Sequence, residues 1–142
     1  MITEEISLSE EVKKAIRKHA EEAYPYECCG ILFRASLTDD SGNDSSGGEK
    51  PEDEIIWSVP LNNSRDTEDS RKHFSTDPME IYRLERKYEE QGYEIVGFYH
   101  SHPDCPAVPS EEDEREMIPD MVYLIVSVNK GCLNDLRVWS IR

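Results

Sequence analysis

The residues able to carry out chemistry are concentrated in one stretch of this sequence, GFYHSHPDCPAVPSEEDE, at positions 97–114. His100 and His102 are two residues apart, and alternate side chains of a β-strand point to the same face. Imidazole nitrogens are preferred ligands of zinc, and a catalytic zinc site has three protein ligands and one open position. Asp113 is the candidate third ligand, because the loop after the strand can bring its carboxylate back to the histidines. The stretch therefore predicts a zinc site.

Each of these residues also has an ordinary structural interpretation. A histidine pair on a strand is common at protein surfaces. Ser110 and Asp113 have the S-x-x-D spacing of a capping box, in which two side chains bond backbone N–H groups at a helix start. The two interpretations of Ser110 are compatible, because a residue that opens a helix can still present its hydroxyl to a reacting group. Each part alone is ambiguous, and the combination favours the metal site.

The charge and hydropathy of the chain exclude several function classes. The 142 residues have a formal net charge of -15, whereas nucleic acids and anionic membrane surfaces require a basic face. No apolar run approaches the roughly 20 residues of a membrane span. The N-terminal sequence MITEEISLSEEVKK lacks the apolar region of a signal peptide. We therefore expect one cytoplasmic domain over residues 1–142, with no nucleic-acid or membrane partner.

The cysteines allow a second kind of catalytic site. The sequence contains Cys28, Cys29, Cys105 and Cys132. Adjacent cysteines do not readily form a disulfide with each other, so we interpret all four as reduced thiols. A cysteine hydrolase remains an alternative, with Cys28 or Cys29 as the nucleophile and one of the two histidines as the base. Cys105 lies in the predicted metal loop, and we interpret it as a small loop residue, with a redox-sensitive thiol or an extra metal contact as alternatives.

The elements that must position these residues follow from hydrophobic periodicity and from capping residues. The class is α/β (α+β), with one central mixed β-sheet flanked by helices. Residues 38–54 are expected, from their composition, to form a mobile acidic loop. We predict helices over 9–23, 77–91 and 110–118, and strands over 28–35, 55–61, 95–102, 121–128 and 134–141.

The spacing of the chemical residues matches a known signature. His100-Ser101-His102, seven residues, Ser110, two residues and Asp113 have the pattern H-x-H-x7-S-x2-D, so the sequence resembles the JAMM (MPN-plus) zinc metalloprotease family. The surrounding residues are similar to those of its small stand-alone prokaryotic members. The resemblance implies the JAMM/MPN (cytidine-deaminase-like) fold.

Two further segments support the resemblance and add a residue. YPYECCGILF resembles the family segment in which a glutamate precedes a Cys-Gly pair, which makes Glu27 the catalytic glutamate. NNSRDTEDSRKHFSTDP resembles the family's middle segment. Chemistry alone would not select Glu27 among the many acidic residues. The resemblance covers the whole chain except residues 37–54, where the acidic insertion departs from the compact prokaryotic pattern.

The resemblance also implies an activity. Zn2+ bound by His100, His102 and Asp113 would activate a water, Glu27 would transfer its proton, and Ser110 would stabilise the oxyanion. The expected reaction is hydrolysis of a peptide or isopeptide bond after the C-terminal Gly-Gly of a ubiquitin-like or sulfur-carrier protein. Iron or cobalt could occupy the same ligands. The alternative from the same fold is a non-catalytic scaffold or binding module.

Overall fold

The computed structural model describes residues 2–4, 6–36, 54–61 and 77–141. The predicted acidic loop at 38–54 lies outside these ranges except for Glu54, and the segment 62–76 lies outside them entirely. Within the described ranges, no helix is long and apolar enough to cross a membrane.

The described ranges contain three helices and six strands. Their order is β1 (Ile2–Glu4), α1 (Glu10–Ala23), β2 (Cys29–Ala35), β3 (Trp57–Leu61), α2 (Pro78–Glu89), β4 (Tyr93–Pro103), α3 (Glu111–Glu116), β5 (Val122–Asn129) and β6 (Cys132–Ser140).

All six strands belong to one mixed sheet in the order β1-β6-β5-β4-β2-β3. β4 and β5 pair in parallel, and the other neighbours pair antiparallel. Because the central pair is parallel, the C-terminal ends of β4 and β5 lie at the same edge of the sheet, with the loops that follow them. Pro103 pairs with Val128 there. The predicted mixed sheet is confirmed, and this edge is where the histidine-containing end of β4 emerges.

Helix α1 covers one face of the sheet. Its N-cap is Ser9, whose hydroxyl accepts a hydrogen bond from the Val12 N–H at 3.2 Å. Val12, Ile16 and Ala20 are buried on one side of the helix and pack in a core cluster with the central strands. Burial of this apolar stripe is the main stabilisation of such a helix. The helix predicted over 9–23 is confirmed.

Helix α2 covers the opposite face. Asp77 caps it by accepting a hydrogen bond from the Met79 N–H at 2.9 Å, and Pro78 is its first residue. Ile81, Leu84 and Tyr88 pack against a second buried cluster, formed by Cys29, Ile31, Phe33 and Leu61. Helices on both faces are what the sequence predicts.

Most element boundaries differ from the prediction by one or two residues; β3, for example, begins at Trp57 rather than at 55, and β4 at Tyr93 rather than at 95. β1 was not predicted, because three residues carry no readable alternation and its partner β6 supplies the pairing. α3 ends at Glu116 rather than at 118. Ile118 precedes Pro119, and a proline disfavours the helical conformation in the residue before it. β6 begins at Cys132, two residues early, because β5 extends to Asn129 and pairs with it across a tight turn.

Candidate metal centre

Three electron-pair donors meet at the C-terminal end of β4. His100 and His102 lie on the same face of the strand, and both are buried. Their Nε2 atoms are 3.1 Å apart. The Oδ2 atom of Asp113, from α3, is 3.1 Å from Nε2 of His100 and 3.0 Å from Nε2 of His102. The three atoms therefore form a nearly equilateral triangle.

The donor triangle fits a tetrahedral cation. Two ligands bound to one zinc at 2.0–2.1 Å lie about 3.3 Å apart at the tetrahedral angle, close to the spacing of the three donor atoms. Two histidines and one carboxylate are also the kind of ligand set that zinc takes in hydrolytic sites. Lone pairs that face one another at this distance repel, so either a proton on an imidazole or a metal cation between the three atoms stabilises the arrangement.

The orientation of the His102 ring is fixed from outside the triangle. Its Nδ1 is 2.8 Å from the Pro106 carbonyl oxygen. Because a carbonyl only accepts, Nδ1 carries the proton and Nε2 is left as the electron-pair donor. Burial lowers the pKa of His102, but the Asp113 carboxylate and the Pro106 carbonyl stabilise the protonated form of the ring and leave its pKa above the ordinary value. Burial dominates at His100, whose pKa lies below the ordinary value.

Ser110 and Asp113 form the capping box that their spacing predicts. The Ser110 hydroxyl accepts a hydrogen bond from the Asp113 N–H at 3.0 Å, and Asp113 Oδ2 accepts one from the Ser110 N–H at 2.9 Å. Burial raises the pKa of Asp113, but the neighbouring imidazoles of His100 and His102 and the Ser110 N–H stabilise its carboxylate and hold that pKa well below its usual range. The helix cap and the metal-site geometry are thus one arrangement, because the same oxygen serves both.

Glu27 reaches the histidines through the pairing of β2 with β4. Ser101 points away from the triangle, and its hydroxyl accepts a hydrogen bond from the Cys28 N–H at 2.9 Å. The Ser101 N–H donates to the Cys28 carbonyl at 3.0 Å. This double contact fixes the chain at the residue after Glu27. The buried Glu27 carboxylate and the two imidazoles have ligand atoms that all lie within 4.8 Å of one another.

An open cleft of about 920 Å³ leads to these residues. Glu27, His102 and the exposed Ser110 are among the residues that line it. The remaining wall is formed by Tyr24, Pro25, Pro103, Asp104, Cys105, Pro106 and Val108. The structure therefore brings all five predicted site residues to one place: three of them form the triangle, and Glu27 and Ser110 lie beside it.

Sequence reasoning missed Tyr24 and Asp104, which shape this cleft. The Tyr24 O–H donates to Asp104 Oδ2 at 2.6 Å. The one local signal was the Pro-Asp pair that follows the second histidine, since Asp is a common turn residue. Nothing in the sequence indicated that its partner is a tyrosine at the end of α1.

The thiols argue against a cysteine nucleophile. All four cysteines lie in the described part of the chain and are free thiols. Cys28 and Cys29 are buried, and burial raises their pKa to about 11 and about 12. A thiol of this kind is protonated near neutral pH and is a poor nucleophile. Cys105 is exposed on the cleft wall, and it is not among the residues whose ligand atoms group with the histidines.

Comparison with known proteins places this geometry in a family. A family model described as prokaryotic homologs of the JAB domain matches residues 9–142. Desampylase of Haloferax volcanii is 31% identical over 132 residues, which is 89% of this chain and 84% of that protein. A probable TtuB-protein conjugate cleaving protease of Thermus thermophilus is 33% identical over a shorter stretch of 52 residues, 37% of this chain and 35% of that protein.

Solved structures give the same result for the fold. The crystal structure of a JAB1/MPN domain protein from Archaeoglobus fulgidus matches with a TM-score of 0.55 and 20% sequence identity, over 95% of this chain and 87% of that chain. At this identity the likeness concerns the fold alone. It confirms the fold predicted from the sequence.

Proposed function

The chain belongs to the prokaryotic homologues of the JAB domain, and we propose that it is a zinc-dependent isopeptidase that cleaves after the Gly-Gly tail of a ubiquitin-like or sulfur-carrier protein. A JAMM-type hydrolase acting on such conjugates agrees with the names of its relatives, a desampylase and a probable TtuB-conjugate protease. The observation that carries the proposal is the triangle of Nε2, Nε2 and Oδ2 atoms at 3.0–3.1 Å.

His100, His102 and Asp113 are the proposed ligands. They are preferred to Glu27 because Asp113 Oδ2 is equally close to both Nε2 atoms, within 3.1 Å, and is already oriented by the helix cap. Zinc bound there would supply a Lewis acid that polarises the scissile carbonyl and acidifies a water. Removal of either histidine or of Asp113 leaves two donors, which is fewer than a catalytic zinc site uses.

Glu27 is the proposed general base. Its carboxylate lies in the cleft beside the ligands and is buried, so bulk water does not compete for it. A group within 4.8 Å of the imidazole donors is near enough to contact a water that shares their site. Glu27 takes the proton from the attacking water and delivers it to the leaving amine. Cleavage then yields a carrier carboxylate and a free amine.

Ser110 is the proposed oxyanion donor. Its oxygen accepts the Asp113 N–H, so its own O–H hydrogen remains available to donate into the cleft. Its backbone N–H is used by Asp113 Oδ2, which fixes the residue in place. A hydroxyl held in this way can stabilise negative charge on the carbonyl oxygen of the substrate.

The substrate class is proposed from the cleft and the relatives. A Gly-Gly tail has no side chains, so its backbone can come close to the buried histidines at the cleft. Such a tail can also bind in extended form against a strand edge. Neutral or basic partners suit a chain with a net charge of -15, and the absence of a nucleic-acid partner stays a prediction from this charge. A cytoplasmic location stays a prediction.

A cleavage assay tests the proposal. Ubiquitin-like and sulfur-carrier proteins of bacteria and archaea, each joined through the terminal glycine to the ε-amine of a fluorescent lysine peptide, are incubated with the zinc-loaded protein. We expect release of a carrier that ends in Gly-Gly, loss of cleavage with 1,10-phenanthroline, and recovery with added zinc. Matched conjugates ending in Ala-Ala should be poor substrates. Failure to cleave every conjugate, with zinc bound, would favour the scaffold alternative.

A further inference from the structure

Asp104 connects three elements directly behind the metal centre. Its N–H donates to the Val128 carbonyl of β5 at 2.7 Å. Its Oδ1 accepts a hydrogen bond from the Lys130 N–H at 2.9 Å, in the turn between β5 and β6. Its Oδ2 accepts the Tyr24 O–H at 2.6 Å, at the end of α1. One side chain thus fastens the start of the loop to two separate parts of the fold.

The next three residues are fastened through their carbonyl groups. The Ser127 hydroxyl donates to the Cys105 carbonyl at 2.5 Å. The Pro106 carbonyl accepts from His102 Nδ1 at 2.8 Å, and the Ala107 carbonyl accepts from the Trp139 indole N–H at 2.9 Å. We call residues 104–107 the anchored loop. Each of its four residues has a partner in β4, β5, β6 or α1, so the loop is held along its whole length.

The backbone conformation at Asp104 explains why a small polar residue is present. Its φ is 56°, in the left-handed region that glycine, asparagine and aspartate adopt more readily than other residues. Glycine could adopt this conformation but could not make either side-chain bond. A carboxylate has two acceptor oxygens and can accept both bonds at once, from the Lys130 N–H and from the Tyr24 O–H.

We propose that Asp104 is a positioning residue of the metal centre, which acts through the anchored loop to hold the Pro106 carbonyl against His102 and thereby sets the orientation of that ring. The inference rests on the proposed function, because it concerns the zinc ligands named there. A metal site needs its ligands within about 0.5 Å of the productive geometry. Asp104 itself contacts neither the substrate nor the zinc, and its effect reaches the site through Pro106.

Zinc affinity of the purified protein tests this without an activity assay. The zinc Kd is measured by competition with a chromophoric chelator, and the Tm of each metal-free protein is measured in parallel. Asp104→Gly keeps the backbone conformation and removes both side-chain bonds. Asp104→Asn keeps the shape and offers one acceptor and one donor. The matched control is Asp120→Gly, since Asp120 also has a positive φ of 70° but lies at the opposite end of β5.

We expect Asp104→Gly to weaken zinc binding by about 10–100-fold, the usual effect of removing a partner that orients a ligand. Asp104→Asn should recover most of the affinity, and Asp120→Gly should match the parent protein. A Kd within twofold of the parent for Asp104→Gly, with only a lower Tm, would overturn the proposal and leave Asp104 a purely structural residue. Parent protein that binds no zinc would instead overturn the proposed function.

Tyr24→Phe decides the question if Asp104→Gly does not fold. It removes one of the two side-chain bonds of Asp104 and keeps the aromatic ring in place. We expect about a threefold weaker zinc Kd, smaller than for the glycine variant because the bond to the Lys130 N–H remains. An unchanged Kd in this folded variant would overturn the proposal.

Discussion

The two faces of β4 use similar residue types for opposite purposes. On one face, His100 and His102 meet Asp113 with three electron-pair donors within 3.1 Å. On the other, Tyr99 is buried under α1, and its hydroxyl is 2.7 Å from His19 Nδ1. The first face therefore contains two buried imidazoles and the second a half-buried one, His19, and each imidazole makes a short polar contact.

The two faces differ in whether each hydrogen-bond donor has an acceptor opposite it. Tyr99 and His19 form a donor–acceptor pair, which needs nothing further and stabilises the packing of α1 on the sheet. On the opposite face the His102 proton is used by the Pro106 carbonyl, so its Nε2 presents a lone pair to the other donors. A buried hydrogen-bond donor paired with an acceptor stabilises the fold, whereas buried acceptors that face one another need a proton or a metal cation between them. The predictions below separate these two cases.

The largest effect is expected from Glu27→Gln. The amide keeps the size of the side chain but is not a base, so kcat should fall by about 10²–10⁴-fold. The ligands are untouched, so the zinc content should stay that of the parent. Steady-state cleavage of a carrier–lysine conjugate and elemental analysis are the two measurements. Glu89→Gln, at an exposed position on α2, is the matched control.

Near-normal turnover of the Glu27→Gln protein would remove this residue from the mechanism. Loss of zinc together with activity would instead make Glu27 a ligand, which its proximity to both histidines allows.

The second effect is expected from Ser110→Ala. Loss of an oxyanion donor typically lowers kcat by about 10²–10³-fold. The same change removes a helix cap, which costs about 1 kcal/mol of unfolding free energy. Ser9→Ala provides the control, since Ser9 caps α1 in the same way and is not among the cleft residues. Equal kcat values for the two variants would show that Ser110 acts only as a cap.

The third prediction concerns the face of β4 that packs under α1, where Tyr99 contacts His19. Tyr99→Phe removes the hydroxyl that bonds His19, so the unfolding free energy should fall by about 0.5–1.5 kcal/mol. Zinc affinity and kcat should be unchanged, because Tyr99 points away from the donor triangle. Urea denaturation and chelator competition measure the two quantities. A loss of zinc affinity in this variant would show that the two faces are coupled.

The smallest effect is expected from thiol modification. Burial raises the pKa of Cys28 and Cys29 to about 11 and about 12, so iodoacetamide at pH 8 should leave both unmodified. The exposed Cys105 and Cys132 should each take up one adduct, giving two by mass spectrometry. The Cys105→Ser protein should take up one adduct and keep its activity after treatment. Inactivation of that variant by alkylation would revive the cysteine-hydrolase alternative.

Much of the fold could be predicted, because its elements carry local signals. Helix α1 has a capping serine and an apolar stripe, and β2 and β5 are largely apolar runs. β1 could not be predicted, because a three-residue strand depends on pairing with β6 at the far end of the chain.

The site residues also fall into those with a local sequence signal and those placed by long-range contacts. The histidines and Asp113 could be predicted because strand alternation and the capping spacing are local features. Glu27 could not be selected by chemistry among 31 acidic residues, since what places it is the contact between Cys28 and Ser101, 73 residues apart. Asp104 could not be predicted for the same reason, because its partners lie at the end of α1 and in the β5–β6 turn. The catalytic roles of the site residues stay predictions.

Metal content tests the central claim most directly. Protein purified without a metal-chelating tag is analysed for bound metals beside a His102→Ala variant, before and after incubation with zinc. Three donors converging at 3.0–3.1 Å predict about one zinc per chain in the parent protein and loss of that zinc in the variant. Absence of bound metal in the parent after incubation with zinc would contradict the account and turn attention to a scaffold role.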